Sequence, residues 1–114
     1  MRDILKLLEQ STDMHILSMR VDGGGTASRF LMQFQADLLG IPVEIPVIQE
    51  TTALGSAYMA ALGLGDLSRI EDTIDLWHCH KRYEPGMSED CRDALMDQWY
   101  RAVERSRGWI TPNS

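Results

Sequence analysis

Three consecutive glycines, Gly23-Gly24-Gly25, stand between an apolar run and a helical pattern, and they constrain this chain more than any other feature. The run before them is Met14-His15-Ile16-Leu17-Ser18-Met19-Arg20-Val21. In an extended chain Met14 and Ile16 fall on one side, and Leu17, Met19 and Val21 on the other. Apolar groups on both faces predict a strand over 14–21 that is covered on both sides, as in a parallel sheet. After the glycines, Phe30, Phe34 and Leu38 recur four apart with Leu31 and Leu39 beside them, which predicts a helix over 26–39. Gly40 suits the left-handed position after that helix, and Pro42 prevents its continuation.

Residues 43–48 read as a second strand. Pro46 cannot donate a ladder hydrogen bond, so this strand is expected to be short or near a sheet edge. Thr51 or Thr52 then caps a helix running to about residue 62, rich in Ala, Gly and Ser. Ser68-Arg69-Ile70-Glu71 has the spacing of a capping box, and Ile70, Ile74 and Trp77 come after it at helical intervals. Residues 78–86 read as extended and end in Pro85-Gly86. A last helix spans 88–107, with Ser88 as its cap and Leu95, Trp99 and Val103 along one stripe. Before all of these, Ile4, Leu5, Leu7 and Leu8 predict a helix over 2–10. The resulting fold class is α/β, in the order helix, strand, helix, strand, helix, helix, helix. Two strands do not make a stable open sheet. The sheet flanked by these helices is therefore expected to be incomplete, with residues 1–114 forming a single piece of a larger one.

Composition narrows the partners. With 114 residues and 44% hydrophobic content, the chain suits one small domain with a core. A net charge of −6 disfavours binding to nucleic acid or to an anionic membrane surface. No apolar run approaches the roughly 18 residues of a membrane span, and the N-terminus lacks a signal-peptide pattern, so a cytoplasmic location is expected. Cys79 and Cys91 fit reduced thiols.

The glycine segment is where chemistry is expected. Glycines let a backbone approach a ligand closely, and the helix start after them presents free N–H groups with a partial positive charge. Such a turn suits a phosphate or a nucleoside. Two other readings match the same residues: a tight turn with no ligand, and a dinucleotide fold, since Gly23-x-Gly25-x-x-Ser28 imitates that fingerprint with Glu50 after the next strand. His78-Cys79-His80, with Cys91 on the last helix, suggests a metal, but a fourth ligand is missing and packing or surface roles are favoured. Glu50-Thr51-Thr52 reads as a helix start and not as an acid with a nucleophile. Trp77, Trp99 and Trp109 read as packing residues, and Asp90, Asp93 and Asp97 with Arg92 as a solvated helix face.

The run Val21-Asp22-Gly23-Gly24-Gly25-Thr26-Ala27-Ser28-Arg29-Phe30-Leu31-Met32-Gln33-Phe34-Gln35-Ala36-Asp37-Leu38-Leu39-Gly40 resembles the C-terminal signature of the glycerol kinases, within the FGGY carbohydrate kinases. Gln49-Glu50-Thr51-Thr52-Ala53-Leu54-Gly55-Ser56-Ala57-Tyr58 is a second match. Lys81-Arg82-Tyr83-Glu84-Pro85, with Trp99, Ala102, Val103 and Gly108-Trp109, is a weaker third. The resemblance implies an actin-like, ribonuclease-H-like ATPase fold, of which this chain is the end of the second, nucleotide-binding domain. It implies transfer of the γ-phosphoryl of ATP to a polyol, with magnesium. The family contacts nucleotide through the second glycine of Asp-Gly-Gly, matched by Gly24, and an Asn four residues on, where Ser28 stands. Serine keeps a donor and an acceptor but loses reach. The implied adenine-nucleotide contacts are thus Gly23, Gly24, Gly25 and Ser28, with Asp22 structural. The family's Asp-x-Gly phosphate loop, glycerol-binding residues and catalytic Asp lie earlier in the polypeptide and have no counterpart here. The chain is therefore expected to have no kinase activity alone, to bind ATP or ADP weakly with no tightly held cofactor, and to partner a missing N-terminal kinase domain. Self-association is expected to cover the open sheet edge. The alternative from another class is a non-enzymatic binding or oligomerisation module.

Overall fold

The structure, a computed structural model, describes residues 1–108; the expected packing role of Trp109 lies outside them. Its centre is a three-stranded sheet in the order β1-β2-β3, made of Met19–Arg20, Val43–Pro46 and Cys79–Tyr83. β1 and β2 are parallel, pairing Met19 with Val43 and Arg20 with Glu44. β2 and β3 are antiparallel, pairing Val43 with Tyr83 and Glu44 with Arg82. The described residues also form four helices: α1 (Arg2–Thr12), α2 (Arg29–Leu39), α3 (Thr51–Leu64) and α4 (Glu89–Ser106).

One face of the sheet carries the core. Val43 and Ile45 point toward α2 and meet Met32, Ala36 and Leu39, with Leu5 of α1 and Tyr83 of β3 closing the cluster. Val43 and Ala36 are both fully shielded, at 0% exposure. This differs from the expected stripe of α2: Phe30 is 80% exposed and stacks on Phe34 with centroids 5.9 Å apart, while the residues two positions on face the sheet. The opposite face is polar. Glu44 is buried and receives Arg82 Nη1 at 2.5 Å from β3, with Arg20 Nε 3.9 Å away on β1. The Arg20 guanidinium in turn lies 3.9 Å from the centre of the Trp77 ring.

Several sequence expectations change for identifiable reasons. The strand expected over 14–21 is reduced to Met19–Arg20, because a strand needs a ladder partner and β2 offers only four residues. Leu17, expected to be covered, is 82% exposed. Pro46 does not place β2 at an edge, although the strand is short, at four residues, as that proline implies. It sits at the strand's end beside a register irregularity, where no ladder donor is required, and Val47 N–H resumes pairing with the His78 carbonyl at 3.0 Å. Residues 78–86, read only as extended, contribute the third strand. The helix expected from residue 26 begins at Arg29, after a 3-10 turn over Gly24–Ala27, and Ser28 caps it by accepting Leu31 N–H at 3.3 Å. The expected box at Ser68 and Glu71 is instead built around Asp72, whose carboxylate accepts the backbone N–H groups of Ser68 and Arg69. The box opens a 3-10 turn over Ile70–Thr73, not a helix through Trp77. Ser88 caps α4 as expected, accepting Cys91 N–H at 3.4 Å.

The helices reach well beyond the core. The radius of gyration is 18.6 Å, against about 13 Å for a compact domain of this length. α3 has no buried residue. α4 is anchored by its N-terminal side, where Asp37 of α2 accepts Gly86 and Met87 N–H at 2.7 and 3.2 Å, and Arg92 Nε reaches the Asp37 carbonyl at 2.9 Å.

This anchoring has two measurable outcomes. Gly40 ends α2 at φ +74°, and a Cβ there would lie 2.5 Å from the Arg92 guanidinium. Gly40→Ala is expected to lower stability by about 1–2 kcal/mol from the left-handed backbone alone, measured as the urea unfolding midpoint. The N–H of Gly86 holds the Asp37 carboxyl below its ordinary value of 3.8, helped by Gln33, Met87 and Arg92. A depressed carboxyl contributes its stability in full above the ordinary value and loses it as pH falls below. Asp37→Asn should therefore flatten the loss of stability as pH falls from about 4 through the lowered native value, in the same unfolding measurement.

Candidate functional site

The glycine segment leaves the C-terminal end of β1 and turns over the end of the sheet. Val21 N–H still pairs with the Glu44 carbonyl at 2.9 Å, so the chain is held until one residue before the bend. Gly23 then adopts φ +84° and ψ 179°, a conformation open to glycine almost alone. The turn closes through Thr26 N–H and Thr26 Oγ1, both donating to the Gly23 carbonyl at 3.1 and 2.7 Å, and through Ser28 N–H donating to Gly25 at 3.2 Å. Thr26 is buried, whereas Gly23, Gly24, Gly25 and Ser28 are all exposed.

Gly24, like Gly25, is not required to be glycine by the chain itself. Its backbone φ lies outside the left-handed range, and a Cβ built on it would meet nothing within 4 Å. A Cβ on Gly25 would touch Leu31 Cδ2 at an ordinary 3.6 Å. Gly23 needs its backbone conformation; Gly24 leaves room for something outside the chain. Ser28 sits four residues on. Its oxygen caps α2, which leaves the hydroxyl proton and a second lone pair available.

Asp22 and the segment after β2 frame this bend. Asp22 Oδ2 accepts the Thr51 hydroxyl, and the Gln49 carboxamide lies 3.3 Å from Thr26 Oγ1. Thr51 therefore does not cap α3 and neither does Thr52: the cap position is Glu50, with no side-chain cap bond. Arg20, Val21, Asp22, Pro46, Thr51 and Trp77 line a cavity of about 220 Å³ beside the bend. Sequence reasoning missed Thr26, Gln49 and Thr51 as frame residues. The only signal was their position on either side of the bend, which carries no contact information by itself.

The other sequence candidates stay apart from this bend. Among the described residues no three His, Cys, Asp or Glu side chains gather as a metal site, and Cys79 and Cys91 are free and exposed. No described helix is long and apolar enough to cross a membrane. Trp99 lies half in solvent against α1, its indole N–H donating to Asp3 at 3.2 Å. Asp93 pairs with Arg2 at 3.0 Å and stays exposed, as do Asp90 and Asp97, whereas Arg92 leaves the expected solvated face for the Asp37 carbonyl.

The family model for the FGGY family of carbohydrate kinases, C-terminal domain, matches residues 1–64, which contain the whole glycine bend and its frame. The chain belongs to the FGGY family. Glycerol kinase 2 of Thermotoga maritima is 47% identical over 108 residues, covering 95% of this chain and 22% of its own length. The glycerol kinase of Aromatoleum aromaticum is 48% identical over the same span and share. The chain thus spans about a fifth of the length of the FGGY relatives it matches. Plasmodium falciparum glycerol kinase, in a crystal structure with ADP, superposes with a TM-score of 0.78 at 25% identity, over 96% of this chain and 22% of that one. A ligand-bound xylulose kinase from Lactobacillus acidophilus superposes with a TM-score of 0.71 at 16% identity, a likeness of fold alone. The fold class is therefore that of the actin-like sugar kinases, with an α/β sheet of three strands and four helices. This replaces the dinucleotide-fold alternative, whose fingerprint also fails locally: a 3-10 turn and a cap intervene where its helix would begin.

The two glycines should separate backbone need from ligand space. Gly23→Ala is expected to cost about 1–2 kcal/mol because of its positive φ, whereas Gly24→Ala should change stability by less than about 0.5 kcal/mol. Paired urea titrations of the two variants check this.

Proposed function

We propose that this chain supplies part of the adenine-nucleotide site of an ATP-dependent glycerol kinase, through Gly23, Gly24, Gly25 and Ser28, and has no kinase activity alone. The observation that carries the proposal is the bare, exposed Gly24 backbone, which neither its φ nor any neighbour within the chain requires. The bend fits a nucleotide: it offers open space, a helix start and a serine with a free hydroxyl proton. The presence of ADP in the Plasmodium falciparum relative supports the same reading.

The described residues do not fit the rest of the chemistry. Phosphoryl transfer needs phosphate clamps, a metal site and a group that orients the attacking hydroxyl. Asp22, the acid nearest the bend, is engaged with Thr51. We assign the magnesium ligands, the polyol site and the catalytic acid to an N-terminal kinase domain outside this chain. That domain is also the partner that covers the open faces, among them Leu17, Phe30 and Leu64, each 80% exposed or more. Those same faces favour self-association of the isolated chain, the one feature that an assembly module would share. A cytoplasmic location belongs to this reading, since the nucleotide is ATP.

Calorimetric titration of the chain with ADP tests the proposal. Binding with a dissociation constant of about 1 mM is expected for a partial site, weakened at least about tenfold by Gly24→Val, with no turnover in a coupled ADP-release assay containing ATP, magnesium and glycerol. Turnover above blank, or no heat from ADP at several millimolar, would refute it.

A further inference from the structure

We infer that Thr51 and Gln49 are positioning residues that latch the glycine bend in place and thereby couple its ligand to the docking of α3. The inference rests on the nucleotide role proposed for the bend. Three glycines in a row have more backbone freedom to lose than any other tripeptide, so a site made from their backbone depends on what holds them beforehand. Here both ends of the triplet are held from outside. Asp22, just before it, accepts the Thr51 hydroxyl; Thr26, just after it, lies 3.3 Å from the Gln49 carboxamide. Both ties come from one short segment, the end of the β2–α3 connection and the first residue of α3.

The same ties matter for α3. This helix has no buried residue, and its main packing partner is the turn over Ile70–Thr73. It meets the sheet side of the molecule at its first turn, where Thr51 bonds Asp22 and Leu54 lines a small cavity with Pro46, Val47 and Trp77. A bend stiffened by ligand holds Asp22 in place for Thr51, and a docked α3 holds Asp22 in place for the ligand. Linkage makes the two effects equal in size. Whatever polypeptide covers the open face of α3 then adjusts affinity at the bend without touching the ligand.

The test uses the 114-residue chain and three variants, Thr51→Val, Thr51→Ser and Gln49→Ala. Amide hydrogen exchange is read first without nucleotide at Thr26 and Ser28, whose N–H groups donate to Gly23 and Gly25. Thr51→Val should speed exchange there by about fivefold, as the loss of one hydrogen bond would, and Gln49→Ala by less, because Thr26 has one hydroxyl proton and gives it mainly to the Gly23 carbonyl. Thr51→Ser, which keeps the hydroxyl, should stay within about twofold of the parent. ADP titration should show the same order: about fivefold weaker for Thr51→Val, and near-parental for Thr51→Ser. Unchanged exchange in Thr51→Val and Gln49→Ala overturns the latch, and so does faster exchange with unaltered ADP affinity. If the parent chain binds no ADP, the proposed nucleotide role fails while the exchange measurement still decides the latch.

Discussion

The Glu44 carboxylate, buried in the middle of the sheet, is the constraint on which the arrangement turns. A buried carboxylate is tolerated only when it is paired, and the register sets an arginine on each side of it: Arg20 on β1 and Arg82 on β3. The opposite side of the same strand is the driest part of the molecule, with Val43 and Ile45 against α2. A slip of one residue in β2 would present the charge to the helix and the valine to the arginines. The strand has four residues and one workable register, and that register brings β1 to the point where Asp22 begins the glycine bend.

The role proposed for this chain is a matter of backbone, not of reactive side chains. The bend offers a glycine without a structural need for being glycine, a capped helix start and a hydroxyl, each of which suits recognition and none of which suits bond-making. That distribution agrees with a C-terminal portion of an FGGY kinase spanning about a fifth of the relatives' length. It also explains the extended shape. Ile4, Leu7 and Leu8 of α1 lie exposed, which suits the contact proposed with an N-terminal kinase domain.

The legible parts of the fold were those with local causes. Gly40 at the end of α2, Ser88 at the start of α4 and the boundaries of α1 and α2 to within three residues reflect caps and periodicity. The glycine bend was legible as a motif, and its family resemblance identified the fold. Features decided by neighbours in space could not be read. β1 shrank because the length of its partner limits it, and Leu17 was left uncovered. The core face of α2 went to Met32, Ala36 and Leu39, of which the apolar spacing had picked out only Leu39. Thr51 left the helix cap for Asp22, a choice that a separation of 29 positions hides from any local rule.

The brevity of β1 has a further meaning. A long, flat edge strand is a template for pairing with any passing chain, and proteins blunt such edges by shortening them. With two residues in its ladder, β1 gives a stray strand almost no register to copy, so growth into a cross-β stack has little to start from.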